Sequence, residues 1–328
     1  MICVKGMGWI KQKPDSRDYT FDHPKVKARF DEIRAKGLAS SIDLRPNCSP
    51  IVDQGNLGSC TANAGAGDVE FIELHQSKSY VAASRLFLYY VTRHLIENTS
   101  GDVGAEIRDV IKALVKYGVC TEKTWAYIES KLDTKPPTAA FTEATAYETL
   151  TYAAPQNLTD IQTALNGSLI VQFGFTVFDS FENIGSDGIM PMPDMDNESV
   201  LGGHAVDVVG YLTKNKTQYL IVRNSWGTSW GDKGYFYMPF AYLNIEYEGS
   251  PVCDDFWTIL TEDYLNNPVP TPTPTPVPPT PTPIPPSVDV AGAIVDLDKA
   301  IPILKKSGSK YVIQARPMVI DALKKLGG

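Results

Sequence analysis

The chain has no apolar run near the roughly 18 residues that a membrane-spanning helix needs. Its first residues, MICVKGMGWIKQKPDSRDY, lack the apolar stretch of a secretory signal. A protein without a membrane span and without a visible export signal is expected, and its location stays open. Cysteine is scarce, with five in 328 residues (Cys3, Cys48, Cys60, Cys120 and Cys253) and no Cys-x-x-Cys pair. That excludes a disulfide scaffold and the common zinc and dithiol motifs. The odd count leaves at least one thiol free, and Cys48 and Cys120 either pair or stay reduced. Positive charge is also in deficit, 30 Lys and Arg against 38 Asp and Glu for a net charge of −8, which disfavours a nucleic-acid partner. Apolar residues are not lacking: at 43% they are enough to bury a real core, which excludes a wholly disordered chain.

The charge is uneven. Residues 1–40 carry 9 basic against 5 acidic residues and residues 287–328 carry 7 against 4, so the body between them is strongly acidic. Docking of the basic leader or tail on that acidic body is therefore an expectation, although exposed charges are screened and individually weak. The clearest boundary is PVPTPTPTPVPPTPTPIPP, residues 268–286, which holds 11 of the 24 prolines. It cannot form a helix interior or a central strand, and in polyproline II geometry it spans on the order of 60 Å at about 3.1 Å per residue. Four segments follow: a leader over 1–42, expected to occlude a cleft, a domain over 43–267, the linker 268–286 and a tail over 287–328 of unknown role.

Within the domain, helical patterns come first and strands second, which predicts an α+β chain with segregated lobes. The run from Cys60, TANAGAGDVEFIELHQ, reads as a helix weakened by Gly65 and Gly67. SRLFLYYVTRHLIE and AEIRDVIKALVKYGV are stronger. In the second, Ile107, Ile111, Leu114 and Val115 form a stripe and Gly118 supplies the stop. After Asn166, SLIVQFGFTVF, HAVDVVGYL, QYLIVRNSW and GYFYMP are rich in β-branched and aromatic residues and predict a sheet or partial barrel.

A cysteine becomes a nucleophile as the thiolate, which needs a positive helix end and an imidazole nearby. Cys60 follows the turn-prone run Asp53 to Ser59 and opens a predicted helix, where unsatisfied N–H groups favour a negative sulfur. A small buried hydrophobe is the bland alternative. His204, in GGHAVDVVGY, begins a predicted strand and projects from its end into a cleft, against the alternative of a satisfied core histidine. Asn224 closes QYLIVRN and is placed to accept the imidazole N–H, with Trp226 shielding that bond from water.

The blocks DQGNLGSCTANA, GGHAV and NSWGTSWGDKGYF, in the order Gln, Cys, His, Asn, resemble the active-site blocks of the papain-like cysteine proteases from about Asp43 to Trp257. The short leader and Thr61 after the cysteine, where an aromatic often stands in eukaryotic members, resemble bacterial members most. The resemblance implies a two-lobed α+β fold, helical on the cysteine side and β-barrel-like on the histidine side, with a cleft between. It implies Cys60 as nucleophile, His204 as base and acid, Asn224 as orienter, and Gln54 as oxyanion-hole donor beside the Cys60 N–H. The reaction expected is hydrolysis of a peptide substrate through a thioester, from a thiolate–imidazolium pair, with no metal or cofactor. The alternatives are a peptide-binding module that does not cut and a transpeptidase or ligase that uses the same thioester.

Overall fold

The computed structural model describes residues 6–75, 80–144, 150–261 and 264–265. The proline-rich linker, the tail and Cys3 lie outside the described residues.

Helix α1 (Pro24–Ala35) starts on a proline, whose missing N–H costs nothing in a first turn, and the His23 side chain accepts from the Lys25 N–H. Strand β1 (Ile42–Asp43) leads to the loop before α2 (Cys60–His75). Helix α3 (Arg85–Val91) is capped by the Ser84 hydroxyl accepting from Phe87 N–H. It continues into a π-helical turn, Thr92–Ile96, so the predicted helix SRLFLYYVTRHLIE is wound more loosely in its second half. Helix α4 (Ile107–Tyr117) stops at Gly118, which takes the left-handed φ of 68° as predicted. Helix α5 (Thr138–Ala144) and strand β2 (Leu150–Ala153) lead to α6 (Leu158–Asn166), whose Asn157 cap accepts from the Asp160 N–H.

The second half is a sheet. Strand β3 (Val171–Phe178) and the short α7 (Asp179–Glu182) precede β4 (Val200–Lys214), β5 (Thr217–Arg223) and β6 (Tyr235–Pro239). A small pair, β7 (Glu246–Tyr247) with β8 (Ser250–Pro251), comes before β9 (Cys253–Thr261). The main sheet is antiparallel with the order β2-β9-β3-β4-β5-β6, and β1 pairs with β4. Among the described residues the sheet is open: β2 and β6 end the path, so it does not close into a barrel.

Three apolar clusters result. Helices α2, α3 and α4 bury Phe87, Leu88, Tyr89, Val110, Ile111 and Leu114, while the sheet buries Phe173, Phe175, Phe178, Phe181, Val208 and Phe236. A smaller third cluster joins Phe71 of α2 to Val209, Ile221 and Tyr237 of the sheet, so the two lobes of the α+β fold each have an interior and share a seam. Helix α1 adds Val26, Phe30 and Ile33 to the sheet core, and Phe30 stacks on Phe21 at 3.5 Å between ring centroids. The second half of the leader is therefore part of that lobe's interior. Four cysteines, Cys48, Cys60, Cys120 and Cys253, are free thiols, so Cys48 and Cys120 do not pair. Phe87 is fully buried against Phe141 in the helical core. Phe87→Ala is expected to cost about 3–5 kcal/mol, read as a lowered urea midpoint. A loss below about 1 kcal/mol would show that this core collapses around the gap.

Candidate active site

Cys60 is the first residue of α2 and is fully buried. The turn before it is held from the helical lobe. Gly58 N–H donates to both oxygens of Asp102 (2.9 and 3.0 Å), which also accepts the Tyr89 hydroxyl at 2.7 Å. One turn into α2, the Asn63 amide donates to the carbonyl and hydroxyl of Ser59. These bonds hold the sulfur at the positive end of the helix dipole. The sequence casts Gly65 and Gly67 as helix weaknesses. Here they are the places where α2 is approached closely: a Cβ on Gly65 would lie 2.7 Å from Val110 Cγ1, and one on Gly67 would lie 3.3 Å from Asp207 Oδ2.

His204 lies within β4 and does not begin it, because Gly202 and Gly203 join the ladder opposite Val177 and Thr176. Pairing with β3 overrides the low strand propensity of glycine. The ring Nε2 and Asn224 Oδ1 are 2.7 Å apart. An amide oxygen only accepts, so Nε2 carries the proton. Asn224 follows directly after β5, and its Oδ1 also accepts from the Ser225 N–H at 2.8 Å. Trp226 stands beside the imidazole with centroids 4.9 Å apart and planes tilted by 33°, and is itself 3% exposed. Gln54 is joined to the same turn: its N–H donates to the Ser225 carbonyl and its Oε1 accepts the Ser225 hydroxyl at 2.6 Å. That fixes which end of the carboxamide faces the cleft. Gln54, Asn224 and Trp226 thus form one unit with His204. Ala205, the residue after His204, lies close enough to the sulfur for its N–H to oppose the upward push of burial on the thiol.

The space in front of these groups is filled by the chain's own leader. Gly8 N–H lies 3.4 Å from Cys60 Sγ, and the Gln54 Nε2 donates to the Gly6 carbonyl at 2.8 Å. Trp9 N–H donates to Gly203 O, Ala105 N–H to Gly8 O and Ile10 N–H to Ala105 O, so the leader runs as an extra strand between the lobes. Both leader glycines are needed, because a Cβ on Gly6 or Gly8 would collide with the backbone of Leu57 or Gly58. Under this cover burial pushes the Cys60 thiol up and the His204 imidazole down to about 4. Nδ1 of His204 is buried without a hydrogen-bond partner among the described residues. Burial thus works against the ion pair expected from the sequence.

A search of family models matches residues 38–248 to the papain family cysteine proteases. The chain is 39% identical over 286 residues to an uncharacterized peptidase C1-like protein, L477, of Acanthamoeba polyphaga mimivirus, covering 80% of this chain and 90% of that one. Peptidase 1 of Dermatophagoides pteronyssinus is 30% identical, with 66% and 68% covered. Among solved structures, xylellain, a cysteine protease from Xylella fastidiosa, is 34% identical with a TM-score of 0.68, covering 78% of this chain and 96% of that one. Procathepsin B S9 from Trypanosoma congolense, at 18% identity and a TM-score of 0.58, shares the fold. The two-lobed build and these matches define a cysteine peptidase. The chain belongs to the papain family.

Beneath the site, α2 meets β4 and β5 through a buried polar cluster that the sequence patterns did not reveal. Arg85 pairs with both oxygens of Glu70 at 2.7 Å, and Arg223 Nη2 donates to Ser49 and to the Pro50 carbonyl. Asp207 stands opposite Arg223 in the β4–β5 register. Three carboxylates, Asp68, Glu70 and Asp207, thus face two guanidinium groups, and neither oxygen of Asp68 has a hydrogen-bond partner among the described residues. Burial, then the neighbouring Asp207, pushes the Asp68 carboxyl well up; burial also raises Asp207, against the pull of Arg223. Such carboxyls keep a proton that the unfolded chain has lost, so their contribution to stability is present in acid and is lost as pH rises through the folded value. Asp68→Asn is accordingly expected to gain stability relative to the wild type between pH 5 and pH 8, read by urea unfolding at both. An unchanged difference across that range would contradict a proton retained on these carboxyls in the folded state.

Proposed function

We propose that the chain hydrolyses peptide bonds through a thioester on Cys60. The Cys60 thiolate attacks the substrate carbonyl carbon, and the resulting oxyanion is stabilised by the Gln54 Nε2 and the Cys60 N–H. His204, holding the proton taken from the thiol, gives it to the leaving amine as the carbon–nitrogen bond breaks. Water, deprotonated by the same ring, then attacks the thioester and frees the acid and the thiol. Asn224, by accepting a hydrogen bond from the Nε2 proton, leaves Nδ1 as the ring nitrogen open to take the thiol proton.

The observation that carries this reading is a peptide already seated on these groups: the Gly6 carbonyl on the Gln54 amide and the Gly8 N–H on the sulfur. The leader residues 6–12 accordingly restrain the resting enzyme. Charge contributes little to that restraint. The Lys11–Asp254 pair is about 40% exposed on both sides and is worth about 0–1 kcal/mol, whereas burying Trp9 is worth on the order of 3 kcal/mol. Displacing the leader readmits water, which lets the thiol and imidazole charge as a pair.

Cys60→Ala is expected to abolish turnover of fluorogenic peptides and labelling by an epoxysuccinyl inhibitor, and Gln54→Ala to lower kcat about 100 to 1,000-fold. A Cys60→Ala variant that still turns over peptide would sink the reading. Gly8→Ala in the full chain should speed iodoacetamide labelling of Cys60, followed by peptide mapping, by tenfold or more. Labelling at the wild-type rate would mean that the leader does not guard the thiol.

A further inference from the structure

The Gln54 amide nitrogen carries two protons, and both are engaged. One goes to the Gly6 carbonyl at 2.8 Å, in the place proposed for the substrate oxygen, and the other to the Leu57 carbonyl at 2.9 Å. The Leu57 carbonyl and the Gly58 N–H belong to a single peptide plane, so whatever holds one end of it holds the other. Its N–H donates to the Asp102 carboxylate at 2.9 and 3.0 Å. Gln54 Nε2, the 57–58 peptide and Asp102 therefore stand in series, with every donor pointing toward the carboxylate.

The carboxylate is itself fixed from behind. Tyr89, fully buried, donates its hydroxyl to Asp102 Oδ1 at 2.7 Å and accepts the Gly104 N–H at 3.0 Å. Burial, then the contact with Asp102, holds that hydroxyl well above the ordinary phenol range, so it stays a donor. The Arg93 guanidinium lies 4.1 Å from the centre of the Tyr89 ring and donates to the Gly101 carbonyl. The loop is thus tied down on both sides of Asp102. Gly58 lets the carboxylate approach, since a Cβ there would lie 3.2 Å from Oδ1. Asp102 is an exposed residue, and among the described residues its carboxylate bonds only to Gly58 and Tyr89. It fills no core and touches no reacting group.

Resting on the peptidase reading above, we infer that Asp102 is a positioning residue of the oxyanion hole, acting through the Leu57–Gly58 peptide on the Gln54 amide. A carboxylate that accepts the N–H of a peptide unit polarises it, and the carbonyl at its other end becomes a stronger acceptor. The Gln54 amide is then held at two points, Oε1 by the Ser225 hydroxyl and Nε2 by the Leu57 carbonyl. Two fixed points set the plane of the amide, and its remaining N–H is left aimed into the cleft. With the Ser225 bond alone the amide can turn, and an oxyanion donor that must reorient during the reaction loses its advantage. A plain tie for the 101–104 loop is the bland alternative, and it would act on stability without involving Gln54.

The test is a double-mutant cycle on the full chain carrying Gly8→Ala, read with a fluorogenic peptide. Asp102→Ala should lower kcat about tenfold or more while KM moves less than about threefold. Asp102→Asn keeps an oxygen that accepts from the Gly58 N–H and the Tyr89 hydroxyl, so it should recover most of that loss. In a Gln54→Ala background, Asp102→Ala should cost less than about threefold in kcat, because the donor it positions is gone. If Asp102→Ala does not fold, as judged by urea unfolding, Asp102→Ser takes its place in the same cycle. An equal loss in both backgrounds, no loss in kcat, or a loss carried chiefly by KM would overturn the inference while leaving the peptidase standing. No turnover of any peptide by the Gly8→Ala chain, with Cys60 fully labelled by iodoacetamide, would overturn the peptidase reading and the inference together.

Discussion

The close seating of α2 on the sheet is the constraint from which the rest follows. The proposed roles of Cys60 and His204, one on each lobe, need an interface that holds the two at a fixed separation. Gly67 lets Asp207 come within contact distance of the helix axis, and Gly65 does the same for Val110 on the opposite side. Around that contact lie Glu70, Arg85, Arg223 and Ser49, bonded to one another out of reach of water. Buried charge is not an efficient way to stabilise a fold, since apolar residues of similar volume often serve as well or better. Such a cluster is geometrically demanding, however, because each donor and acceptor has a direction. It suits a joint whose alignment matters more than its strength.

The cleft formed above this joint is shaped to bind backbone. Gly203 and Ala105 present a carbonyl and an N–H from opposite lobes, and the leader uses both. On the function proposed above, the features that allow the leader to lie there would serve a substrate strand as well. Sealing the cleft also removes the water that would support charge on the thiol and the ring. Steric cover and electrostatic quenching therefore come from a single act of burial, through the desolvation that disfavours ionised forms.

Much of the site was readable from residue order. Gln54, Cys60, His204 and Asn224 stand in three short blocks whose spacing along the chain is constrained by the elements that carry them, and the helix of Ile107, Ile111 and Leu114 announced itself by its stripe. Other features were not readable. His204 reads as a strand start because two glycines precede it, and only pairing with β3 extends the strand back to Val200. The leader reads as a basic arm, yet its seat depends on one tryptophan and two glycines whose partners lie up to 246 residues away. Asp255, the acceptor of the Trp9 indole N–H, carries no sequence signal, since its direction is set by a bulge that exists only when β9 pairs with β3.

By itself the sequence determined the chemistry on offer: a thiol behind a turn at a helix start, an imidazole beside small residues, an amide at a strand end, and the α then β order of the lobes. These are local matters, governed by propensity, periodicity and the donors left open at helix ends. Only the tertiary structure decided that the sheet stays open, that burial works against charge on the thiol and imidazole, and that the Trp9 indole meets the Asp255 carboxylate. Those outcomes depend on which distant surfaces exclude water from one another, and desolvation is a property of the packed chain that no stretch of residues carries alone.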